Sequence, residues 1–204
     1  MQVEVLAPAV RGTQNVLKAC HQAKVGRVVV VSSAAAVAMN PSFPRDAVLD
    51  EDAWSDEDHC RTAGMWYALS KTLAEREALA HAGRTGLDVV TVCPPALGPR
   101  PAAAARGQHQ QPGPHQPAQR QAFRAGDAGA VEDKARNAVD VRDLADALVL
   151  AYETPEASGR FVQGEDGRMV SSKKLQALGW KFRTVEECLR DGVESYRAAG
   201  ILPE

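Results

Sequence analysis

The feature that most constrains this chain is the unbroken β-branched run Val28-Val29-Val30-Val31, entered from Gly26 and left through Ser32 and Ser33. Four consecutive β-branched residues pack poorly as helix. They suit a strand buried on both faces of a parallel sheet. A parallel sheet requires helical crossovers, so the flanking sequence should alternate helix and strand. Both serines then fall at the strand's carboxyl end, the side on which open α/β sheets bind ligands.

The flanks meet that expectation. From about Val5 to Ala23, Val10, Val16, Leu17 and Cys20 fall near helical spacing, and Gly26 follows where a helix-ending glycine belongs. Residues 40–61 are rich in Pro, Asp, Glu and Ser without an apolar period, which predicts a long loop. Helical pattern resumes from about Met65 to Ala82, stops at Gly83 and Gly86, and gives way to a strand over Leu87 to Val92.

Between Gly98 and Ala130 the character changes: there is no Val, Ile, Leu or Met, Phe123 is the one large apolar residue, and Asp127 is the sole acid. Such a stretch cannot offset its ordering entropy by burial, which predicts disorder. Its abrupt edges suggest a replaced segment. Pattern returns as a helix over Asn137 to Glu153, a turn at Ser158-Gly159, and a short strand at Phe161-Val162. In the tail, Thr184 with Glu187 forms a capping-box signature. Ahead of it, Val185, Cys188, Leu189, Val193 and Tyr196 make an amphipathic stripe. Three units are expected: residues 1–98, a low-complexity segment 99–130, and residues 131–204.

At 204 residues and 45% hydrophobic, the chain can bury one sizeable core. A net charge of −2 offers no attraction to nucleic acid or anionic lipid. No apolar run approaches the roughly 20 residues that span a bilayer, and Met1 is followed by Gln2, Glu4 and Pro8, so a cytoplasmic protein is expected. Cys20, Cys60, Cys93 and Cys188 lie too far apart for a metal clip and read as packing residues, Cys93 alone lying beside the candidate site. The acids Asp50, Glu51, Asp56, Glu57 and Asp58 read as a solvated loop face, so no metal is assigned, and the five histidines read as surface residues. Trp54 and Trp66 are expected to anchor the loop over the following helix.

The constellation with chemistry in it is Tyr67 and Lys71. Four apart on a predicted helix, they share a face, so an ammonium can approach a phenol. A free phenol has a pKa of about 10, and a neighbouring cation favours the phenolate, bringing the proton into range for donation to a carbonyl oxygen. Ser33, at a strand end, could hydrogen-bond the same oxygen as it gains charge.

Five stretches carry a more specific likeness. They are Gly12-Thr13-x-Asn15-Val16-Leu17-x-Ala19-Cys20, Arg27 to Ser33, Asp50-Glu51-x-x-Trp54-Ser55-Asp56, Trp66-Tyr67-x-x-Ser70-Lys71-x-x-Ala74-Glu75, and Asp140-Val141-Arg142-Asp143-Leu144-Ala145. In this order they resemble the plant-type extended short-chain dehydrogenase/reductases, in particular the cinnamoyl-CoA reductase and dihydroflavonol reductase relatives. The resemblance implies a Rossmann-like doubly wound parallel α/β sheet with a small C-terminal helical substrate region. It implies NADP as cofactor and reduction of a phenylpropanoid-type carbonyl or CoA thioester. It also implies Ser33, Tyr67 and Lys71 as the catalytic triad, with Ser32, Tyr67, Lys71 and Pro94 toward the cofactor.

The chain departs from that family in three places. No Gly-x-x-Gly-x-x-Gly opens it, so the phosphate-binding turn and the first three strands are expected to be missing, leaving an incomplete sheet. The segment after Pro99, where the family supplies pocket residues, is the low-complexity stretch. Gly167 to Ser172 joins a strand directly to the terminal helices, and Met65 replaces the Asn that precedes Trp-Tyr in cinnamoyl-CoA reductases. Two rival readings stay open. One is a sugar-nucleotide epimerase or dehydratase with retained NAD, against which the Asp-Glu-x-x-Trp-Ser-Asp loop argues. The other is a non-catalytic truncated paralogue that associates with full-length relatives.

Overall fold

The structure, a computed structural model, describes residues 2–44, 46–97, 138–164 and 170–203. Helix α1 (Gln2–Gln22) leads into β1 (Arg27–Val31), and a one-turn 3-10 helix follows at Ala34–Ala36. Then come α2 (Glu57–Thr62), α3 (Trp66–Thr85), β2 (Asp88–Cys93) and β3 (Ala96–Leu97). The second half contributes β4 (Ala138–Val139), α4 (Val141–Glu153), β5 (Gly159–Val162), α5 (Lys173–Ala177) and α6 (Val185–Ala198).

Strands β1, β2 and β5 pair in that order, all parallel, with Val29 opposite Val90 and Val92 opposite Phe161. β3 and β4 form a separate parallel pair. Alternation along the central β2 sends Val89 toward Leu17 of α1 and Ala78 of α3, while Val90 and Val92 join Leu144, Ala147 and Ala151 of α4. Helices therefore cover both faces, which is the doubly wound arrangement the valine run demands. Phe161, Leu175 and Trp180 complete the larger core, and the Trp180 indole donates to the Asp143 carbonyl at 2.8 Å.

Several expectations need correction. The four-valine strand is not buried on both faces: Val28, Val29 and Val30 are half-buried and Val31 is 45% exposed. Among the described residues β1 pairs with β2 alone. The residue with positive φ after α1 is Lys24, at 57°, and not Gly26. Helix α3 runs through Gly83 and ends at Gly86, whose φ of 73° lets its N–H reach the Ala82 carbonyl at 2.8 Å. The acidic stretch is not all loop, because Asp56 accepts from the His59 N–H at 2.6 Å and starts α2. Nor does a helix begin at residue 137: Ala138 and Val139 are strand, and Asp140 caps α4 by accepting from the Arg142 N–H.

The capping box stands as expected, with the Glu187 carboxylate accepting from the Thr184 N–H at 2.7 Å and Thr184 Oγ1 accepting in return from the Glu187 N–H. The predicted disorder over 99–130 lies outside the described residues, as do the first three residues, 167–169, of the Gly167 to Ser172 junction. Val170 bridges Leu49 in parallel, and the Ser171 N–H donates to the Leu49 carbonyl at 2.7 Å. This ties the acidic loop to the tail. Gly164 sits beneath that junction, where a Cβ would stand 2.8 Å from the Val170 carbonyl oxygen.

Candidate active site

Helix α3 runs antiparallel to the strands it joins, so moving toward its N-terminus means moving toward their carboxyl ends. Three residues at successive four-residue intervals line one face. Glu75 is buried against the sheet. Lys71, one turn nearer the strand ends, donates its ammonium to the Val31 carbonyl at 3.3 Å. Tyr67, a turn further on and about 12 Å along the axis from Glu75, is 45% exposed, and its hydroxyl has no hydrogen-bond partner among the described residues.

Ser33 begins the turn that leaves β1. It is half-buried, and its Oγ accepts from the Ala35 N–H at 3.2 Å, capping the 3-10 helix. An oxygen used as acceptor leaves the hydroxyl proton free to donate. The turn is anchored to β2, because the Ser32 N–H donates to the Val92 carbonyl and the Ala34 N–H to the Pro94 carbonyl, both at 2.8 Å. Ser33, Tyr67, Lys71 and Pro94 thus share one end of the sheet. Ser32 differs: it is 6% exposed and its hydroxyl donates to the Glu75 carboxylate at 2.7 Å, away from that end.

The residues that sequence reasoning missed lie beneath. Glu75, 1% exposed, also accepts from Thr91 Oγ1 at 2.7 Å, Cys93 Sγ at 3.1 Å and Arg160 Nε at 2.8 Å. Arg160, 5% exposed, has its guanidinium 3.6 Å from the centre of the Trp54 ring, with Arg76 at 4.9 Å from the same ring. Trp54 is therefore an anchor, but for two arginines rather than for the helix surface alone. Ser55 clamps the same turn, donating through Oγ to the Ala35 carbonyl and accepting from the Met39 N–H, both at 2.8 Å. A charged residue beside Phe161 and Val162 in an otherwise apolar strand was the available signal for Arg160.

Burial, and after it the adjacent Glu75 carboxylate, push the Cys93 thiol upward, so it stays protonated and serves as a donor in the core. All four cysteines are free thiols. His81 is not a surface residue as expected: it is half-buried, its Nε2 has no partner among the described residues, and its ring meets His21 edge-on with centroids 6.4 Å apart. Gln163, next to the end of β5, is fully buried with neither amide atom partnered among the described residues. Among the described residues no cluster of His, Cys, Asp or Glu could hold a metal ion, and no helix is long and apolar enough to cross a membrane.

The model of the NAD dependent epimerase/dehydratase family matches residues 2–164. The chain belongs to that family. It is 35% identical to cinnamoyl-CoA reductase 2 of Medicago truncatula over 98% of this chain and 67% of that protein. It is 38% identical to cinnamoyl-CoA reductase 1 of Arabidopsis thaliana over 98% of this chain and 65% of that one. The chain therefore spans about two thirds of the length of these relatives. Among solved structures, vestitone reductase from alfalfa (Medicago sativa) superimposes with a TM-score of 0.74 at 26% identity, covering 98% of this chain and 74% of that one. Within the family this is a reductase-type member, an oxidoreductase with a Rossmann-like fold.

The family implies a nicotinamide nucleotide. The donor set at the carboxyl edge fits the nicotinamide end of such a group: an exposed phenol without a partner among the described residues, and an ammonium whose one hydrogen bond among them goes to Val31, leaving hydrogens for a ribose diol.

Proposed function

We propose that this chain uses NADPH to reduce a phenylpropanoid-type carbonyl or hydroxycinnamoyl-CoA thioester, with Tyr67, Lys71 and Ser33 as the catalytic residues. The observation that carries this reading is Lys71 reaching the last carbonyl of β1, with Tyr67 exposed one turn beyond it and the Ser33 hydroxyl proton uncommitted. The likeness to cinnamoyl-CoA reductases and to vestitone reductase supports the substrate class.

When bound, the reduced nicotinamide supplies a hydride to the carbonyl carbon. Tyr67 donates its proton to the carbonyl oxygen, Ser33 donates a hydrogen bond to that oxygen as charge develops, and the Lys71 ammonium offsets the charge left on the phenol oxygen. With a CoA thioester, loss of the thiol from the reduced carbon yields an aldehyde and free CoA. Lys71 and Pro94 line the nicotinamide side.

The test is a titration of the purified chain with NADPH, followed by calorimetry or fluorescence, with Lys71→Ala and Tyr67→Phe as controls. Micromolar binding weakened by Lys71→Ala, followed by turnover of hydroxycinnamoyl-CoA esters or dihydroflavonols that Tyr67→Phe abolishes, is the expected result. A cooperatively folded sample that binds no NADPH would identify a non-catalytic member of the family.

A further inference from the structure

We propose that the buried Glu75–Arg160 ion pair is a positioning device that holds the Ser33 turn in fixed relation to the helix carrying Tyr67 and Lys71. The inference rests on the proposed catalytic role of those three residues. The pair grips both ends of the turn: Glu75 accepts from Ser32 Oγ at 2.7 Å, immediately before Ser33, and Arg160 Nη2 donates to the Ala36 carbonyl at 3.2 Å, three residues after it. Glu75 belongs to α3, one turn from Lys71 and two from Tyr67. Arg160 belongs to β5, and its Nη1 also donates to the carbonyls of Glu51 and Ala53 in the acidic loop. One ion pair thus joins α3, the end of β1, the 3-10 turn, β2 through Thr91 and Cys93, β5, and the loop bearing Trp54.

A core requires no such pair for stability, because apolar side chains of equal volume often serve as well or better. What apolar side chains cannot do is direct hydrogen bonds. The Arg160 fork donates in three directions, to Glu75, to Ala36 and to the loop carbonyls. Ser55 holds the turn from its far side, with its own N–H donating to the Ala36 carbonyl at 2.9 Å. The bonds to Ser32, Ala35, Ala36 and Met39 converge on the segment that sets where the Ser33 hydroxyl stands. Catalytic groups displaced by about 1 Å can lose roughly 100-fold in rate, which makes such bracing consequential.

Arg160→Lys keeps the charge beside Glu75 but loses the fork. Glu75→Gln keeps the shape and removes the charge, and Glu75→Gln with Arg160→Met removes both charges together. Each is read by amide hydrogen exchange and by steady-state reduction of a hydroxycinnamoyl-CoA ester with NADPH. For Arg160→Lys, exchange at the amides of Ala34 to Met39 and of Ser55 is expected to accelerate about tenfold or more while Val89 to Val92 stay protected. Turnover should fall by roughly 100-fold with KM for NADPH within about threefold. An even rise in exchange across the chain, or an undisturbed turn, would overturn the proposal and leave the pair a general core element. Should the unaltered chain reduce no ester, the functional reading fails, and the exchange pattern still decides whether the pair braces the turn. If Glu75→Gln does not fold, Arg160→Lys and the charge-free double variant supply the same comparison.

Discussion

The Lys71 ammonium lies 3.3 Å from the carbonyl oxygen of Val31, the last residue of β1. That bond fixes the cation at the sheet's carboxyl edge without using all its hydrogens, so Lys71 can serve a ligand while tied to the fold. Lys71→Met should weaken NADPH binding by about tenfold, as expected for losing a charge-assisted hydrogen bond. Because the tie is exposed, the melting temperature should move by less than about 2 °C. Isothermal titration paired with a thermal melt separates the two effects.

Arg27 closes the end of α4. Its guanidinium donates to the carbonyls of Ala151 (3.0 Å), Tyr152 (3.3 Å), Thr154 (2.5 Å) and Pro155 (3.1 Å), and pairs with Asp88 at 2.7 Å. Arg27→Met leaves those carbonyls to water and should cost about 2 kcal/mol. Arg27→Lys, with a point charge in place of a fork, should recover less than half. Urea unfolding of the three proteins measures both.

Asp140 gives the fold an acid limb. Hydrogen bonding from Arg142 holds its carboxyl well below the usual carboxylate range, against the opposing effect of burial. A depressed folded-state value contributes stability above the ordinary carboxylate pKa, and that stability drains away as pH falls toward the folded value. Asp140→Asn retains an N-cap but loses the charge. It should be about 1–3 kcal/mol less stable at pH 7, with the gap narrowing below about pH 4. Denaturant melts across that range test the sign.

Thiol reactivity should follow burial. Cys20 is part-exposed, whereas Cys60, Cys93 and Cys188 are buried. Burial, helped by the Asp140 carboxylate, pushes the Cys188 thiol up to about 11, and burial raises Cys60 as well. An aromatic disulfide reagent at pH 8 should therefore label Cys20 at least roughly tenfold faster than the other three. All four should react together once denaturant is added.

Gln163 is fully buried, and neither of its amide atoms has a partner among the described residues. Replacing such a group by an apolar one of similar shape removes an unsatisfied desolvation cost. Gln163→Met is expected to be neutral or to stabilise by up to about 1 kcal/mol in a thermal melt. A loss of more than that would mean the amide is satisfied in solution.

The elements with strong local signals were legible in the sequence. A run of valines, a helical period ending in Gly86, a capping box at Thr184 and Glu187, and Tyr67 four residues before Lys71 each depend on neighbours in the chain. Backbone sterics and side-chain spacing act over those few residues, so the parallel sheet, its helices and the shared face of Tyr67 and Lys71 could be read directly. Only tertiary structure decided that Val31 is exposed, that Ser32 turns inward while Ser33 caps a turn, and that Glu75 meets Arg160. Strand order and the pairing of residues 85 positions apart are settled by which surfaces pack together. No local rule of spacing carries that information.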